Sequence, residues 1–253
     1  MASLVFFAFV TAVVALQGGR GRAVGRIAAG AAAGCVGAIL AGLDQPALLV
    51  DWIWPPLLLL VAYWTSGLLF VAPSGSQERT LGLWDVRLGL RALSAALPRA
   101  VVELLECAYA GVYLLVPAAL VVQLNFMPGA SIGRAWAAIL ITDFICFAGM
   151  AWVHTRPPRA LEAGEPWMSA VRGFNLRLLG STSIQVNTFP SGHAAEALAA
   201  FLLVRDGPWF VAAPMLAAAL AVSAGAVLGR YHYLADVVAG WIVALAVVFF
   251  LSA

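Results

Sequence analysis

The stretch FPSGHAAEALAAFLLV, residues 189–204, places a serine, a glycine and a histidine at the head of a run that is otherwise apolar. Pro190 interrupts the preceding segment and Ser191 is a favoured N-cap, so the pattern predicts a helix that begins at Gly192. The free N–H groups at such a helix start bind phosphate readily, and glycine lets an anion come close to the backbone. His193 would then lie beside any bound anion. Simple capping of a membrane helix is the alternative that this stretch leaves open.

The chain around this stretch has the composition of a membrane protein. Its 253 residues are 63% hydrophobic and only 10% charged, whereas soluble domains carry about 25% charged residues. A membrane-spanning helix needs roughly 20 apolar residues, and most of the apolar runs approach this length. We therefore predict an all-α, polytopic transmembrane helix bundle. The apolar runs are residues 3–16, 27–43, 52–72, 100–124, 135–153, 192–204, 208–228 and 236–252, of which the first and the sixth are short.

Two polar connections indicate how the bundle is oriented. Residues 73–99 and 154–190 each alternate arginines with apolar side chains, which is typical of amphipathic helices at a membrane surface. Together with residues 17–26 they hold eleven arginines, whereas the opposite side has only Arg134 and Arg205. Because positive charge is enriched on the cytoplasmic side, we expect these connections to be cytoplasmic. The expected location is a bacterial plasma membrane.

The remaining composition limits the partners of the chain. The three cysteines lie in apolar segments without the spacing of metal ligands, so buried thiols are expected. No clustered carboxylates indicate Mg²⁺, and no basic cluster indicates nucleic acid. We expect the lipid bilayer as partner, with no metal ion, no cofactor and no nucleic acid, and the sequence leaves the oligomeric state open. The cysteines are Cys35, Cys107 and Cys146.

A second polar element is GRYHYLADVVAG, residues 229–240. His232 and Asp236 are four residues apart and share one face of a helix. A carboxylate in that position can accept the imidazole N–H, fix its tautomer and stabilise the charge that forms when the other nitrogen reacts. An interfacial pair with only a structural role is the alternative.

The third polar element is HTRPPRALE, residues 154–162, on the same predicted side of the membrane. Guanidinium groups such as those of Arg156 and Arg159 match phosphate oxygens bidentately, although attraction to lipid head groups would also explain either one. Two histidines, an aspartate, a helix start and several arginines at one side of one membrane domain favour phosphoryl transfer through a histidine nucleophile.

These elements resemble the signature of the type 2 phosphatidic acid phosphatase superfamily, whose soluble relatives include vanadium-dependent haloperoxidases. That signature has a Lys-x6-Arg-Pro part, a Pro-Ser-Gly-His part and an Arg-x5-His-x3-Asp part. Residues 190–193 match the second part completely, and His232 and Asp236 match the end of the third.

The resemblance covers residues 52–252 and implies a six-helix core with one or two extra N-terminal hydrophobic helices. On this basis we expect one membrane domain over residues 1–253. The extra helices would occupy residues 1–50 and the phosphatase-like core residues 51–253.

The first signature part is altered, because the chain contains no lysine. Counting back from Arg156 places Gly149 where the lysine would be, and counting back from Arg159 places Trp152 there. We favour Arg159 as the family arginine, with Arg156 supplying some of the missing charge.

The third part is altered as well, since Ala226 occupies the arginine position. Arg230 lies one helical turn later, and if the helix continues through it, its guanidinium reaches the same phosphate. The Gly-Arg-Tyr-His-Tyr form, residues 229–233, is similar to a sub-group that includes relatives of fungal-type inositol phosphorylceramide synthase.

The resemblance also implies roles and a substrate class. His232 would attack phosphorus, Asp236 would orient it, and His193 would protonate the leaving oxygen and activate the acceptor. The expected function is the metal-independent hydrolysis of a membrane lipid phosphate (glycerolipid, polyprenyl or sphingoid) through a phosphohistidine. A lipid phosphotransferase of the inositol phosphorylceramide synthase type and a non-enzymatic transporter or assembly factor are the alternatives. The residues expected to bind phosphate are Arg156, Arg159, Ser191, Gly192 and Arg230.

Overall fold

The computed structural model describes residues 1–17, the single positions 30, 32, 35 and 36, and residues 48–252. All regular elements in this part of the chain are helical, which confirms the all-α prediction. The α-helices are α1 Ala2–Leu16, α2 Trp54–Ser66, α3 Gly75–Arg87, α4 Leu90–Ala96, α5 Arg99–Ala110, α6 Leu115–Phe126, α7 Ile132–Ala148, α8 Ala170–Thr182, α9 Gly192–Leu202, α10 Trp209–Leu228 and α11 Leu234–Ser252.

Within the described residues, five helical segments are long and apolar enough to cross a membrane. Short π or 3₁₀ turns extend α2 at both ends, join α5 to α6 and lengthen α7, so that each of these becomes a full span. The chain is therefore an integral membrane protein. The five spans are Leu48–Leu69, Arg99–Phe126, Ile132–Ala151, Trp209–Leu228 and Leu234–Ser252.

The N-terminal apolar run forms a helix of 15 residues, α1. It packs against α7, with Phe6 stacked on Phe144 at a ring-centroid distance of 4.8 Å. The second predicted run, residues 27–43, lies largely outside the described residues, as does the segment 18–26.

The short helix α9 lies at the centre of the bundle. Nine of its eleven residues are buried, and it packs against α7, α10 and α11. Its alanines let these neighbours come close, and so does Gly240 of α11, where a Cβ would lie 2.6 Å from the carbonyl oxygen of Ser191. This close packing brings the starts of α9 and α11 together, and with them the two histidine-containing motifs.

The two arginine-rich connections meet at one end of the bundle. Residues 73–99 form α3 and α4, and residues 154–190 contain α8. Glu78 of α3 pairs with Arg156 at 2.8 Å, and Arg91 of α4 pairs with Glu162 at 2.5 Å. These contacts place both connections on the same side of the spans, as the sequence predicts.

Candidate active site

A cavity of about 580 Å³ lies between the spans, and its polar end contains two of the three histidines. His193 and His232 line it together with Arg159. Most of its wall is aliphatic or aromatic and comes from α2, from the span Arg99–Phe126, from α7 and from α8. The cavity is therefore suited to a molecule with a polar head and an apolar tail.

His232 is bonded to the aspartate that the sequence singles out. It follows the end of α10, whereas Asp236 lies in the first turn of α11 and is fully buried. Nδ1 of His232 is 3.3 Å from Oδ2 of Asp236. With the Nδ1 proton donated to this carboxylate, the lone pair of the imidazole is on Nε2.

The same carboxylate oxygen accepts two further hydrogen bonds. Nδ2 of Asn187 donates to Oδ2 of Asp236 at 2.9 Å, and the backbone N–H of Tyr233 donates to it at 2.9 Å. Asn187 is held in turn by Oγ1 of Thr155 at 3.1 Å. Asn187 lies outside the three polar elements of the sequence, and Thr155 lies in the third, HTRPPRALE, without a role assigned to it there. Sequence reasoning therefore missed both residues.

His193 is held by two tyrosines of the span Arg99–Phe126. Its ring stacks on Tyr109 with centroids 5.1 Å apart and an interplanar angle of 10°. Its Nε2 is 3.3 Å from the hydroxyl oxygen of Tyr113. The ring centroids of His193 and His232 are 6.3 Å apart, which allows both imidazoles to contact one phosphoryl group.

Arg159 reaches the polar end of the cavity over an aromatic ring. Its guanidinium carbon lies 5.3 Å from the ring centroid of Tyr231, a distance at which a cation is attracted to the ring face. Tyr231 in turn stacks on Tyr109 with centroids 4.1 Å apart. The backbone N–H of Arg159 donates to the carbonyl oxygen of Arg230 at 3.0 Å, which fixes the start of this side chain next to the GRYHY motif.

The predicted start of the central helix is confirmed. Helix α9 begins at Gly192, and Oγ of Ser191 accepts a hydrogen bond from the N–H of Ala194 at 3.4 Å. Gly192 lines the cavity, whereas the Ser191 side chain is fully buried as the cap.

Arg156 does not line the cavity with Arg159. It makes a bidentate pair with Glu78, with N–O distances of 2.8 and 3.0 Å, on the surface of the bundle. A lysine at position 149, seven residues before Arg156, would not fit this backbone, because a Cβ on Gly149 would lie 1.9 Å from the carbonyl oxygen of Phe189. The expectation that Arg156 faces the same phosphate as Arg159 disagrees with this position.

Arg230 also has other partners. Helix α10 ends at Leu228, so the condition under which Arg230 is expected to reach the phosphate, a helix that continues through it, is not met. Arg230 adopts a left-handed backbone conformation, with φ of 61°, and does not line the cavity that contains the two histidines. Its guanidinium is buried between Asp85 at 2.8 Å and Glu162 at 2.7 Å. These two carboxylates neutralise it, so Arg230 is not placed to contact a phosphate in the cavity.

A buried polar network beneath the site was not foreseen. Its centre is Glu106 of α5, which accepts from the Tyr231 hydroxyl at 2.7 Å and from Nη1 of Arg172 at 2.7 Å. Trp167 and Asn175 donate to the same carboxylate. Burial, together with the nearby Glu106, raises the pKa of Tyr231, which keeps its hydroxyl protonated as a donor. The network attaches α8 to α5 and fixes the ring of Tyr231, over which Arg159 lies.

The described residues contain five apolar spans, and three of them line a cavity with two histidines and an arginine at its polar end. These features define an integral membrane protein with a histidine-centred site. Residues 76–250, more than half of the chain, match the family model of the PAP2 superfamily. The chain belongs to this superfamily, the type 2 phosphatidic acid phosphatases, whose members generally act on phosphate esters as phosphatases or phosphotransferases. The resemblance to this superfamily is thereby confirmed, whereas the similarity to the sub-group with the Gly-Arg-Tyr-His-Tyr form stays a prediction. Searches of curated proteins and of solved structures gave no match.

Proposed function

We propose that the protein is a membrane phosphatase that hydrolyses a lipid phosphate through a phosphohistidine intermediate, without a metal ion. The observation that carries this proposal is the pair His193 and His232 at the polar end of an apolar cavity, with His232 bonded to the buried Asp236. Membership of the PAP2 superfamily supports the reaction class. The apolar wall of the cavity supports a substrate with a hydrocarbon tail.

In the first step, the Nε2 lone pair of His232 attacks phosphorus and forms a P–N bond. The P–O bond to the lipid alcohol breaks, and His193 donates its proton to the leaving oxygen. Asp236 stabilises the positive charge that develops on the His232 ring. Arg159 and the N–H groups at the start of α9 stabilise the charge on the remaining phosphoryl oxygens.

In the second step, the neutral His193 takes a proton from water as the water oxygen attacks phosphorus. The P–N bond breaks, His232 is regenerated and inorganic phosphate leaves. An acceptor alcohol in place of water would give phosphotransfer by the same sequence of bonds, so hydrolysis and transfer are distinguished by their products.

The test is phosphate release from a long-chain lipid phosphate by the purified full-length protein in detergent and EDTA. We expect release by the wild type, none by His232→Ala, and a rate roughly 10²–10⁴-fold lower for His193→Ala, which lacks the general acid. His154→Ala is the matched control, because this histidine is not among the residues that line the cavity. It should keep a rate close to that of the wild type.

Wild-type activity in His232→Ala, or a strict requirement for Mg²⁺, would overturn the proposed mechanism. Transfer of a phospho-head group to an added alcohol without release of inorganic phosphate would instead assign the protein to the phosphotransferases.

A further inference from the structure

The cavity also contains two carboxyl groups that the proposed mechanism does not use. Asp143 lies on α7 and Glu196 on α9, and both line the cavity. Asp143 is 1% exposed, and its Oδ2 is buried without a hydrogen-bond partner in the described part of the chain. A buried carboxyl group without a partner is costly, and within a membrane such a group is typical of a functional site.

Both carboxyl groups lie next to the polar end of the cavity. Glu196 follows His193 by three residues on α9, which is roughly 4.5 Å along the helix axis and on the same face. Oδ1 of Asp143 is 3.3 Å from the point that a Cβ on Gly192 would occupy. A ligand that contacts His193 and the start of α9 is therefore within reach of Asp143 and Glu196, here called the acid pair.

The surroundings of the acid pair favour a cation. Tyr63, Tyr113 and Trp136 line the same cavity, and aromatic rings attract ammonium groups through their faces. An anion is favoured at the other side of the site, where the Arg159 guanidinium and the start of α9 supply positive charge. The cavity thus has an arginine and two carboxyl groups near each other, and a zwitterion can pair its anionic group with the arginine and its cationic group with the carboxyl groups.

We propose that Asp143 and Glu196 form a subsite for a protonated primary amine of the substrate. The preferred substrate is then a lipid phosphate with an amine a few bonds from its phosphate. The ammonium group donates hydrogen bonds to the two carboxyl groups while the phosphate lies between the histidines and Arg159. This inference rests on the proposed function and names the substrate class of the same site.

The test compares two lipids that differ only at one substituent. One is a long-chain amino alcohol phosphate with its amine on the carbon next to the phosphate-bearing carbon, and the other has a hydroxyl group in place of the amine. Hydrogen bonds to charged groups contribute about 1.5–3 kcal/mol, so the wild type should favour the amine lipid in kcat/KM by roughly 10- to 100-fold. Asp143→Asn and Glu196→Gln should each bring this ratio close to one.

Glu103→Gln is the matched control, since Glu103 lies in a span but is not among the residues that line the cavity. It should keep the wild-type ratio. Equal kcat/KM for the two lipids in the wild type, or an unchanged ratio in both acid-pair variants, would overturn the inference. The wild-type ratio tests the inference even if a variant fails to fold, because equal kcat/KM for the two lipids overturns it.

Two further outcomes separate this inference from its alternatives. Failure of the wild type to release phosphate from either lipid would overturn the proposed function itself. A requirement for Na⁺ in the turnover of the hydroxyl lipid, lost in Asp143→Asn, would assign the acid pair to an inorganic cation and overturn the amine subsite.

Discussion

Asp236 holds the proposed nucleophile with one carboxylate oxygen, and that oxygen also accepts from Asn187 and from the Tyr233 backbone. Three donors fix the oxygen in place, so the His232 ring has a defined tautomer and orientation. Asp236→Asn keeps the shape of the side chain but allows the wrong tautomer. We expect kcat to fall roughly 10²–10⁴-fold with little change in thermal stability, measured by phosphate release and by thermal unfolding in detergent. A near-normal kcat would reduce Asp236 to a structural partner.

Asn187 acts through Asp236 and is therefore a positioning residue. Asn187→Ala removes one donor to the carboxylate, a loss of the size of one charge-assisted hydrogen bond. We expect kcat to fall about tenfold with KM unchanged and the pH–rate profile displaced. The matched control is Thr155→Val, which removes only the acceptor behind Asn187 and should have a smaller effect. An unchanged pH–rate profile in Asn187→Ala would contradict the positioning role.

Arg159 is the arginine that the structure brings to the histidines, and Arg156 is its natural comparison. Arg159→Ala should lower kcat/KM by roughly 10- to 100-fold, because one charge-assisted contact to phosphate is lost. Arg159→Lys should recover only part of the loss, since an ammonium cannot bind two phosphate oxygens in the plane of a guanidinium. Arg156→Ala should leave kcat/KM within about threefold of the wild type, because Arg156 pairs with Glu78 and does not line the cavity. A larger kinetic loss for Arg156→Ala than for Arg159→Ala would contradict this assignment.

At the residue scale, the sequence predicts the contacts that are local in the chain and misses those that are not. Ser191 as the cap of α9 and the pairing of His232 with Asp236 both follow from a spacing of three or four residues. The carboxylates that bind Arg156 and Arg230 lie 78 and 68 residues away, at Glu78 and Glu162. No local pattern indicates such pairs, and without them an arginine near the motif is easily taken for a phosphate ligand.

At the level of the elements, the end of α10 determines where the Arg230 side chain lies. The helix stops at Leu228, and the backbone N–H groups of Tyr231 and His232 both donate to the carbonyl oxygen of Ala226. This turn directs His232 into the cavity and Arg230 out of it, towards Asp85 and Glu162. Ala226 is itself fully buried, so an arginine at this position would not fit the packed interior.

Arg230→Ala should therefore lower stability more than catalysis. It leaves the buried Asp85 unpaired, and removing one partner of a buried ion pair costs about 3–5 kcal/mol. We expect a clear decrease in the thermal unfolding temperature in detergent and less than a tenfold change in kcat/KM of the folded protein. Arg205→Ala, which removes an exposed pair with Asp206, is the control and should be nearly silent. Loss of kcat/KM with unchanged stability would return Arg230 to a direct role at the phosphate.

Helix α8 shows what periodicity can and cannot predict. The spacing of apolar residues in 154–190 predicts a surface helix, and α8 is present at Ala170–Thr182. Its Arg172, however, is fully buried and bound to Glu106 of α5. An arginine in an amphipathic pattern is expected to face solvent. Arg172 is buried instead, because Glu106, a carboxylate from a different span, pairs with it.

For the molecule as a whole, the contacts between the two polar connections should make stability depend on pH. Hydrogen bonds from Arg156 hold the pKa of Glu78 below its ordinary value. Burial would raise the pKa of Glu162, but hydrogen bonds from Arg230 and Arg91 outweigh it and lower the pKa. Carboxyl groups with a lowered pKa in the folded state stabilise it above their ordinary pKa, and this contribution is lost as the pH falls through the lowered value.

We therefore expect the thermal unfolding temperature in detergent to be constant from pH 7 to about pH 5 and to fall below about pH 4.5. Glu78→Gln should unfold at a lower temperature at neutral pH and show a smaller decrease on acidification. A wild-type unfolding temperature that rises on acidification below about pH 5 would contradict a dominant contribution from the lowered pKa values of Glu78 and Glu162.

The distribution of arginines between the two ends of the bundle predicts the orientation of the molecule in the membrane. The loop before α8 lies at the arginine-rich end, and the loop between α6 and α7 at the other. Ala163 and Ala130 are exposed positions in these two loops. With the native cysteines replaced, Ala163→Cys and Ala130→Cys form a matched pair for labelling with a membrane-impermeant thiol reagent. Ala163 is preferable to Ser169, whose hydroxyl caps α8.

If the arginine-rich end is cytoplasmic, as the positive-inside rule predicts, intact cells should label Ala130→Cys and not Ala163→Cys. Permeabilised cells should label both, which shows that each thiol is reactive. Because the polar end of the cavity adjoins the arginine-rich end, the same result would place phosphate release on the cytoplasmic side. Labelling of Ala163→Cys alone in intact cells would reverse the topology, and the arginines would then be explained by binding of the substrate and by the buried ion pairs rather than by insertion.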